Sequence, residues 1–346
     1  MAKFAAIATS SPKPRAKPSR TPARAKLTVV DWKADLLTRE AAHWAAIQKL
    51  TKDADVRPSP RTIYALEDAL AFCDRLPENS IHAIVTDPPY GLIEYDAKNV
   101  EKLRSGKGGV WRIPPSFDGA NRNPLPRFTV LSVAEVAALH AFFSKFAKAA
   151  LRVLVPGGHV FIASNPLLST MCFHAMQTEG LEKRGEVVRL VQTLRGGDKP
   201  KGAEQEFIDV SVMPRSCHEP WGLFRKPFTG TVAKNLREWG AGGLRRPESG
   251  EPFKDLILCS PTRGKERALA PHPSLKPQRF LRQVVRASLP LGIGIVYDPF
   301  AGSGSTLAAA QAVGYRSIGT DRDDEYFALA ETSINALARM SIEKAV

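Results

Sequence analysis

Residues 293–306 read Ile-Gly-Ile-Val-Tyr-Asp-Pro-Phe-Ala-Gly-Ser-Gly-Ser-Thr, an apolar run followed by a loop of glycines and small residues. The apolar part, Ile293–Tyr297, predicts a strand, and the small residues after the loop predict a helix to about Val313. The next apolar run, Tyr315–Thr320, predicts a second strand and ends at Asp321. This succession of strand, glycine loop, helix, strand and acid is typical of a nucleoside-binding unit in an α/β sheet.

The glycine loop has the residue types that a nucleoside ligand requires. Gly302 and Gly304 let the backbone turn tightly and approach a ligand closely, and the helix N-terminus adds backbone N–H groups. Asp321 ends the second strand, where a carboxylate is placed to bind ribose hydroxyls. A nicotinamide dehydrogenase would usually have a third glycine at position 307, which is leucine here. Together with the Asp-Pro-Phe-Ala sequence before the glycines, this favours S-adenosyl-L-methionine over a dinucleotide.

Outside this unit, strands and helices alternate along most of the chain. Ser132 and Glu135 form a capping box before an apolar-periodic run, which predicts a helix to Leu154. Further helices are predicted at 31–50, 62–76, 276–289 and 325–340, and further strands at 81–86, 159–164 and 186–193. Alternating strands and helices predict an α/β fold that is Rossmann-like, with a mostly parallel twisted sheet covered on both faces.

A second motif, Asp87-Pro88-Pro89-Tyr90, directly follows the strand predicted at 81–86. It therefore lies at the carboxyl end of a strand, where open α/β sheets bind their ligands. The exocyclic amine of a base is a poor nucleophile, because its lone pair is conjugated with the ring. The Asp87 carboxylate and the Pro88 carbonyl can accept hydrogen bonds from that amine and free its lone pair. The prolines stiffen the loop, and Tyr90 offers a ring on which a flipped base can stack.

These two motifs, in this order, resemble the β group of DNA amino-methyltransferases. In that family the catalytic tetrapeptide comes first and the cofactor loop comes late. Three further segments carry the resemblance: His272-Pro273-Ser274-Leu275-Lys276-Pro277, Leu-Val-Pro-Gly-Gly at 154–158, and Ile-Gly-Thr-Asp at 318–321 followed by Tyr326. The resemblance covers about residues 60–165 and 270–335. It implies a Rossmann-like methyltransferase with permuted motif order and an inserted target-recognition region.

The resemblance also implies roles for single residues. The catalytic residues would be Asp87, Pro88, Pro89 and Tyr90. The residues that bind the cofactor, S-adenosyl-L-methionine, would be Asp298, Phe300, Ala301, Gly302, Ser303, Gly304, Ser305, Thr306, Asp321, His272 and Lys276. Among these, the nucleoside end would be lined by Phe300, Gly302, Gly304 and Asp321. The methionine end would lie near Asp298, Ser305, Thr306, His272 and Lys276. No metal is expected, since the four cysteines are scattered and form no Cys-x-x-Cys pair.

Composition and motifs divide the chain into five parts. Residues 1–30 predict a disordered basic tail, because the first 26 hold seven Lys/Arg, no acid and many prolines. Residues 31–60 would be an N-terminal helical segment, and 61–194 the catalytic half, with an insertion at 91–130. Residues 195–270 would be the target-recognition region, and 271–346 the cofactor-binding half.

The formal net charge of +14 indicates a polyanionic partner, and with the resemblance it predicts double-stranded DNA. In the recognition region, the arginines as a group favour DNA contact, whereas each aromatic (Trp221, Phe224, Phe228, Trp239) favours a small core. No apolar run approaches the roughly 20 residues of a membrane helix, so we expect no membrane partner and a cytoplasmic location. A monomer or homodimer is expected, and a restriction endonuclease of the same system is one candidate partner.

The expected reaction is site-specific methyl transfer to N6 of adenine in double-stranded DNA, by base flipping and direct attack. Cytosine N4 is the alternative. The family's cytosine enzymes often have serine at the position of Asp87, so the aspartate favours adenine. Carbon-5 chemistry needs a cysteine nucleophile, typically after proline, and no cysteine here follows proline. A DNA-binding protein with this fold and no activity is another alternative. So is a methyltransferase of RNA or protein amides, although those usually place the cofactor loop first.

Overall fold

The computed structural model describes residues 31–51, 55–89, 110–111, 125–126, 132–191, 199–200, 202–212, 214, 216–260, 262, 264–271 and 275–342. Its helices are α1 (Trp32–Leu50), α2 (Ala69–Arg75), α3 (Val133–Val153), α4 (Ser169–Thr178), α5 (Val232–Trp239), α6 (Gly264–Leu269), α7 (Gln278–Ser288), α8 (Ser305–Ala312) and α9 (Asp324–Arg339). Its strands are β1 (Asp55–Ser59), β2 (Thr62–Leu66), β3 (Ile81–Thr86), β4 (Val110–Trp111), β5 (Leu125–Pro126), β6 (Leu154–Ala163), β7 (Glu182–Leu190), β8 (His218–Arg225), β9 (Leu256–Leu258), β10 (Ile295–Asp298) and β11 (Arg316–Asp321).

Within the described part of the chain, the main sheet has the strand order β1-β2-β11-β10-β3-β6-β8-β7-β9. The central strands β2, β11, β10, β3 and β6 run parallel to one another. β8 is antiparallel to both β6 and β7, and β1 is antiparallel to β2 at one edge. β9 pairs in parallel with β7 at the other edge, and β4 pairs only with β5. The mostly parallel α/β sheet predicted from the sequence is confirmed.

Helices pack on both faces of this sheet because successive strand residues point to opposite sides. Ile84 of β3 belongs to the core cluster that includes Phe72 of α2 and Phe146 of α3. The next residue, Val85, belongs to the cluster on the other face, which includes Phe280 of α7. Strands buried on both faces read as continuous apolar runs, which explains why β3 and β10 were recognisable in the sequence.

The strand order creates a switch point between β10 and β3. These two strands are parallel neighbours, with Tyr297 opposite Ile84. From β10 the chain continues through α8 to β11 on one side, whereas from β3 it continues through α3 to β6 on the other. Open α/β sheets bind ligands in the crevice at such a point, outside the carboxyl ends of the strands. The tetrapeptide and the glycine loop therefore lie side by side, although they are far apart in the sequence.

The sequence prediction was wrong at residues 62–66, where the structure has strand β2 instead of the first part of a helix. The segment Thr-Ile-Tyr-Ala-Leu is rich in β-branched and aromatic residues, which favour a strand, and its first four residues are buried. The helix begins later because Asp68 caps α2, its carboxylate accepting the N–H groups of Leu70 (3.0 Å) and Ala71 (3.2 Å). The helices predicted at 31–50, 132–154, 276–289 and 325–340 are confirmed to within two residues.

Part of the predicted recognition region belongs to the main sheet. β8 lies between β6 and β7, and its Trp221 and Phe224 are fully buried. No strand is predicted here from the sequence, because Pro220 and Gly222 are both unusual inside strands. These two aromatic residues are core residues, as predicted, but they belong to the core of the main sheet and not to a small separate one.

Among the described residues, no helix is both long and apolar enough to span a membrane.

Candidate active site

Hydrogen bonds to Asp298, the last residue of β10, join the two loops at the switch point. Its Oδ1 accepts the hydroxyl of Thr86, the last residue of β3, at 2.6 Å, and the N–H of Phe300 at 3.1 Å. Burial raises the pKa of Asp298 to about 7, although hydrogen bonds from Thr306 and Thr86 oppose the shift. The carboxylate therefore ties the strand of the tetrapeptide to the glycine loop.

Left-handed backbone conformations shape the glycine loop. Gly302 has a φ of +49° and Gly304 a φ of +80°, and L side chains rarely adopt such values. A Cβ at position 304 would also lie 2.3 Å from Cγ1 of Ile334 on α9, too close for either atom to stay in place. α8 begins directly after the loop, at Ser305, so its N-terminal N–H groups are available beside the crevice.

The acid at the end of β11 is anchored to this loop. Asp321 accepts the N–H of Gly302 at 2.8 Å through Oδ2 and the N–H of Asp323 at 3.1 Å through Oδ1. Burial raises the pKa of Asp321, and these backbone hydrogen bonds oppose the shift. A carboxylate offers about four lone-pair sites, so an anchored Asp321 can still accept hydrogen bonds from ribose hydroxyls.

Phe300 is held from the side by helix α3. Its ring centre lies 5.9 Å from that of Phe142 and 5.7 Å from that of Phe146, both tilted relative to it. The ring is only partly buried, so one part packs on the core and another part faces outward. This arrangement fixes an aromatic surface beside the glycine loop.

The tetrapeptide begins where β3 ends. The Asp87 side chain is 16% exposed, Pro88 is buried and Pro89 is exposed. The carboxylate is thus shielded but reachable from the crevice. Tyr90 lies outside the described residues, and so does His272.

A buried lysine contacts Asp87. The ammonium of Lys276 hydrogen-bonds Oδ2 of Asp87 and lies 3.1 Å from Oε1 of Glu219 on β8. Burial alone would lower the pKa of Lys276, but the carboxylates of Asp87 and Glu219 raise it overall, so the ammonium is charged at neutral pH. The sequence identified Lys276 but not this contact, and it did not identify Glu219. Glu219 lies in a strand that contains Pro and Gly, and no motif marks it.

Comparison with known proteins identifies the family of this chain. A family model described as "DNA methylase", the N6/N4 methyltransferase model, matches residues 215–332. The type II methyltransferase M2.LlaDCHI of Lactococcus lactis subsp. cremoris is 34% identical over 272 residues, covering 78% of this chain and 87% of the relative. The chain belongs to the DNA amino-methyltransferase family. Its tetrapeptide precedes its cofactor loop, which is the motif order of the β group.

Two further relatives of this amino-methyltransferase cover most of its length. The type II methyltransferase M2.DpnII of Streptococcus pneumoniae is 23% identical over 280 residues, covering 80% of this chain and 90% of the relative. The solved structure of PvuII DNA methyltransferase, described as cytosine-N4-specific, has a TM-score of 0.54 at 16% identity. It covers 85% of this chain and 92% of that chain. At this identity the structural likeness shows the fold alone.

S-adenosyl-L-methionine is the methyl donor of this methyltransferase. The groups at the switch point fit such a ligand. The crevice offers an anchored carboxylate for ribose hydroxyls (Asp321), a buried carboxylate for a cationic group (Asp298), and N–H groups at the start of α8. The structure brings Asp298, residues 300–306 and Asp321 together, whereas it brings Lys276 to Asp87, the first residue of the tetrapeptide.

Two arginines of the predicted recognition region make contacts within the fold itself. Arg225 pairs with Glu182 at 2.6 Å and lies 4.7 Å from the ring centre of Phe228. Arg245 donates to the hydroxyl of Tyr315 at 2.7 Å. Other basic side chains of this region are exposed, namely Lys199, Lys234, Arg237, Arg246, Lys254, Lys265 and Arg267. Among the described residues of this stretch, these exposed side chains are the ones available to contact DNA.

Proposed function

We propose that this methyltransferase acts on N6 of adenine at a specific site in double-stranded DNA. The observation that carries the proposal is a carboxylate, Asp87, at the carboxyl end of β3, joined through Thr86 and Asp298 to the cofactor loop. The resemblance to the β group favours adenine, because its cytosine enzymes often have serine at this position. The net charge of +14 supports a polyanionic substrate.

In this proposal Asp87 and the Pro88 carbonyl accept hydrogen bonds from the exocyclic amine of a flipped base. These bonds draw the amine towards tetrahedral geometry and free its lone pair. S-adenosyl-L-methionine, when bound, supplies an electrophilic methyl group. Asp321 binds the ribose hydroxyls, and Asp298 lies near the cationic methionine end. Tyr90 stacks on the base.

The biological setting is also a proposal. Two relatives are named type II methyltransferases, which supports the expectation of a restriction–modification system with an endonuclease partner. We further propose that the exposed basic residues between 195 and 270 contact the DNA backbone and that the target sequence is recognised by this stretch.

The test is to express the chain in cells whose DNA lacks base methylation. Modification-sensitive long-read sequencing locates the mark, and mass spectrometry of hydrolysed DNA separates N6-methyladenine from N4-methylcytosine. We expect N6-methyladenine at one short motif. If N4-methylcytosine is found instead, the assignment of adenine as the target base is wrong, and the assignment as a DNA amino-methyltransferase stands.

Two variants complete this experiment. Asp87→Ala should abolish the mark and leave the dissociation constant for S-adenosyl-L-methionine nearly unchanged. Asp74→Ala removes an exposed aspartate of α2 and should leave the mark intact. If the wild-type chain binds the cofactor but marks no DNA, the substrate is RNA or protein. A fully active Asp87→Ala would disprove the catalytic role of Asp87.

A further inference from the structure

Four charged side chains form a continuous row that ends at the catalytic tetrapeptide. Arg189 on β7 pairs with Oε2 of Glu219 on β8 at 2.9 Å, and Oε1 of Glu219 lies 3.1 Å from the ammonium of Lys276. Lys276 in turn pairs with Asp87 after β3. The charges alternate in sign along the row. Arg189, Glu219 and Lys276 are each less than 10% exposed, so the row is shielded from solvent up to Asp87.

The far end of this row is fixed by further contacts. The indole N–H of Trp221 donates to Oε2 of Glu219 at 3.3 Å, and the Arg189 guanidinium lies 5.8 Å from the ring centre of Phe280. Burial would raise the pKa of Glu219, but the charges of Lys276 and Arg189 lower it overall. Glu219 is therefore a carboxylate at neutral pH, and it cannot move without breaking several hydrogen bonds.

Stability alone is a weak reason for a chain to bury such a row. Taking each ion out of water costs several kcal/mol, and apolar replacements of buried ion pairs are often neutral or stabilising. Among the described residues, Asp87 is the end of the row that reaches the crevice, and the proposed reaction uses it. If the row has a function in the reaction, it must therefore affect Asp87.

We propose that Glu219 is a positioning residue for methyl transfer, holding Lys276 so that its ammonium fixes the orientation of the Asp87 carboxylate. A carboxylate offers about four lone-pair sites, so Asp87 can accept the substrate amine while Lys276 holds it. Misplacing a reacting group by about 1 Å can cost about 100-fold in rate, so a fixed carboxylate matters. This inference rests on the role of Asp87 in the proposed function. It holds whether the target base is adenine or cytosine.

The main test is Glu219→Gln, which keeps the size of the side chain and removes its charge. We expect kcat to fall about 100-fold, as for a misplaced reacting group. The rate constant of methyl transfer, measured in a single turnover, should fall by the same factor. The KM for DNA and the dissociation constant for S-adenosyl-L-methionine should change less than about twofold, because Glu219 acts on the reaction through Lys276. Glu182→Gln is the matched control. It breaks the ion pair with Arg225 between the same two strands, away from Asp87, and should leave kcat unchanged.

A double-variant cycle with Lys276→Met tests the route of the effect. If Glu219 acts through Lys276, Glu219→Gln should lower kcat no further once Lys276 is methionine. Multiplied losses in the double variant would show that the two residues act independently, and would overturn the inference.

Glu219→Gln leaves the buried Arg189 without its main counter-charge and can lower stability. The variant Arg189→Met/Glu219→Gln removes both charges, and thermal unfolding with cofactor binding shows whether it is folded. The same fall in kcat is expected. A folded double variant with wild-type kcat overturns the positioning role alone, whereas a folded wild-type chain that methylates no DNA overturns the proposed function as well.

Discussion

Asp298→Asn gives a quantitative test of the buried carboxylate at the switch point. Asparagine keeps an oxygen that can accept the hydroxyl of Thr86 and the N–H of Phe300, so the two loops stay joined. The substitution removes the ionisable group, so position 298 no longer titrates. The pKa of Asp298 is raised from 3.8 to about 7 in the folded protein, first by burial and to a lesser extent by the charge of Asp87.

A carboxyl group with a raised pKa binds its proton more tightly in the folded state than in the unfolded chain. The stability that it contributes is therefore complete below pH 3.8 and is lost as the pH rises through about 7. A pKa shift of one unit corresponds to about 1.4 kcal/mol. The shift of about three units therefore lowers the free energy of unfolding by roughly 4 kcal/mol between pH 3.8 and about 7. Asparagine has no such dependence, so the variant should gain stability relative to wild type as the pH rises.

The assay is urea unfolding of both proteins between pH 5 and 8. We expect the difference in free energy of unfolding to grow in favour of Asp298→Asn by about 3 kcal/mol over this range. Other carboxyl groups with raised pKa values, such as Glu40 and Glu266, titrate in both proteins and cancel in the difference. Asp74→Asn on the surface serves as control. A difference that stays flat with pH would refute the reasoning.

The same variant should lose affinity for the cofactor. A hydrogen bond to a charged group is worth about 1.5–3 kcal/mol, so the dissociation constant for S-adenosyl-L-methionine should rise at least about tenfold. The expected result is a protein that is more stable at pH 8 and binds its cofactor less well. Unchanged affinity would place the cationic end of the cofactor away from Asp298.

Two further substitutions test the cofactor loop. Gly304→Ala should lower the free energy of unfolding by about 2–4 kcal/mol, from the left-handed backbone and the clash with Ile334. In urea unfolding the loss should be smaller in an Ile334→Ala background, and equal losses would exclude the clash. Asp321→Ala should raise the dissociation constant for S-adenosyl-L-methionine in calorimetry while kcat at saturating cofactor changes little. An unchanged constant would show that Asp321 is not the ribose ligand.

The sequence was sufficient for the elements whose signals are local. Strands buried on both faces, such as β3 and β10, appear as apolar runs, and the capping box at Ser132 and Glu135 marks the start of α3. β8 has no such local signal, because Pro220 and Gly222 are unusual inside strands. Its Pro220 is accepted there, opposite Val188, because antiparallel partners on both sides hold the surrounding residues.

The residues of the candidate site also fall into two groups, those marked by local motifs and those placed only by tertiary contacts. The glycine loop and the tetrapeptide are local motifs, and their adjacency follows from the parallel neighbours β10 and β3. The contact between Lys276 and Asp87 could not be predicted, because it depends on how the segment before α7 packs across the sheet. Glu219 was missed for a related reason, since its role comes from its partners and no motif surrounds it.

The two carboxylates at the switch point have different surroundings. Asp298 is buried beside Thr86 and has a pKa of about 7, so it carries only part of a charge near neutral pH. Asp87 is kept beside the ammonium of Lys276, which balances its charge. Two uncompensated carboxylates here would repel the phosphates of DNA and each other. Because one is partly protonated and the other paired, the crevice can present both acceptors to an amine and a cationic cofactor without a large negative potential that would exclude the polyanionic substrate.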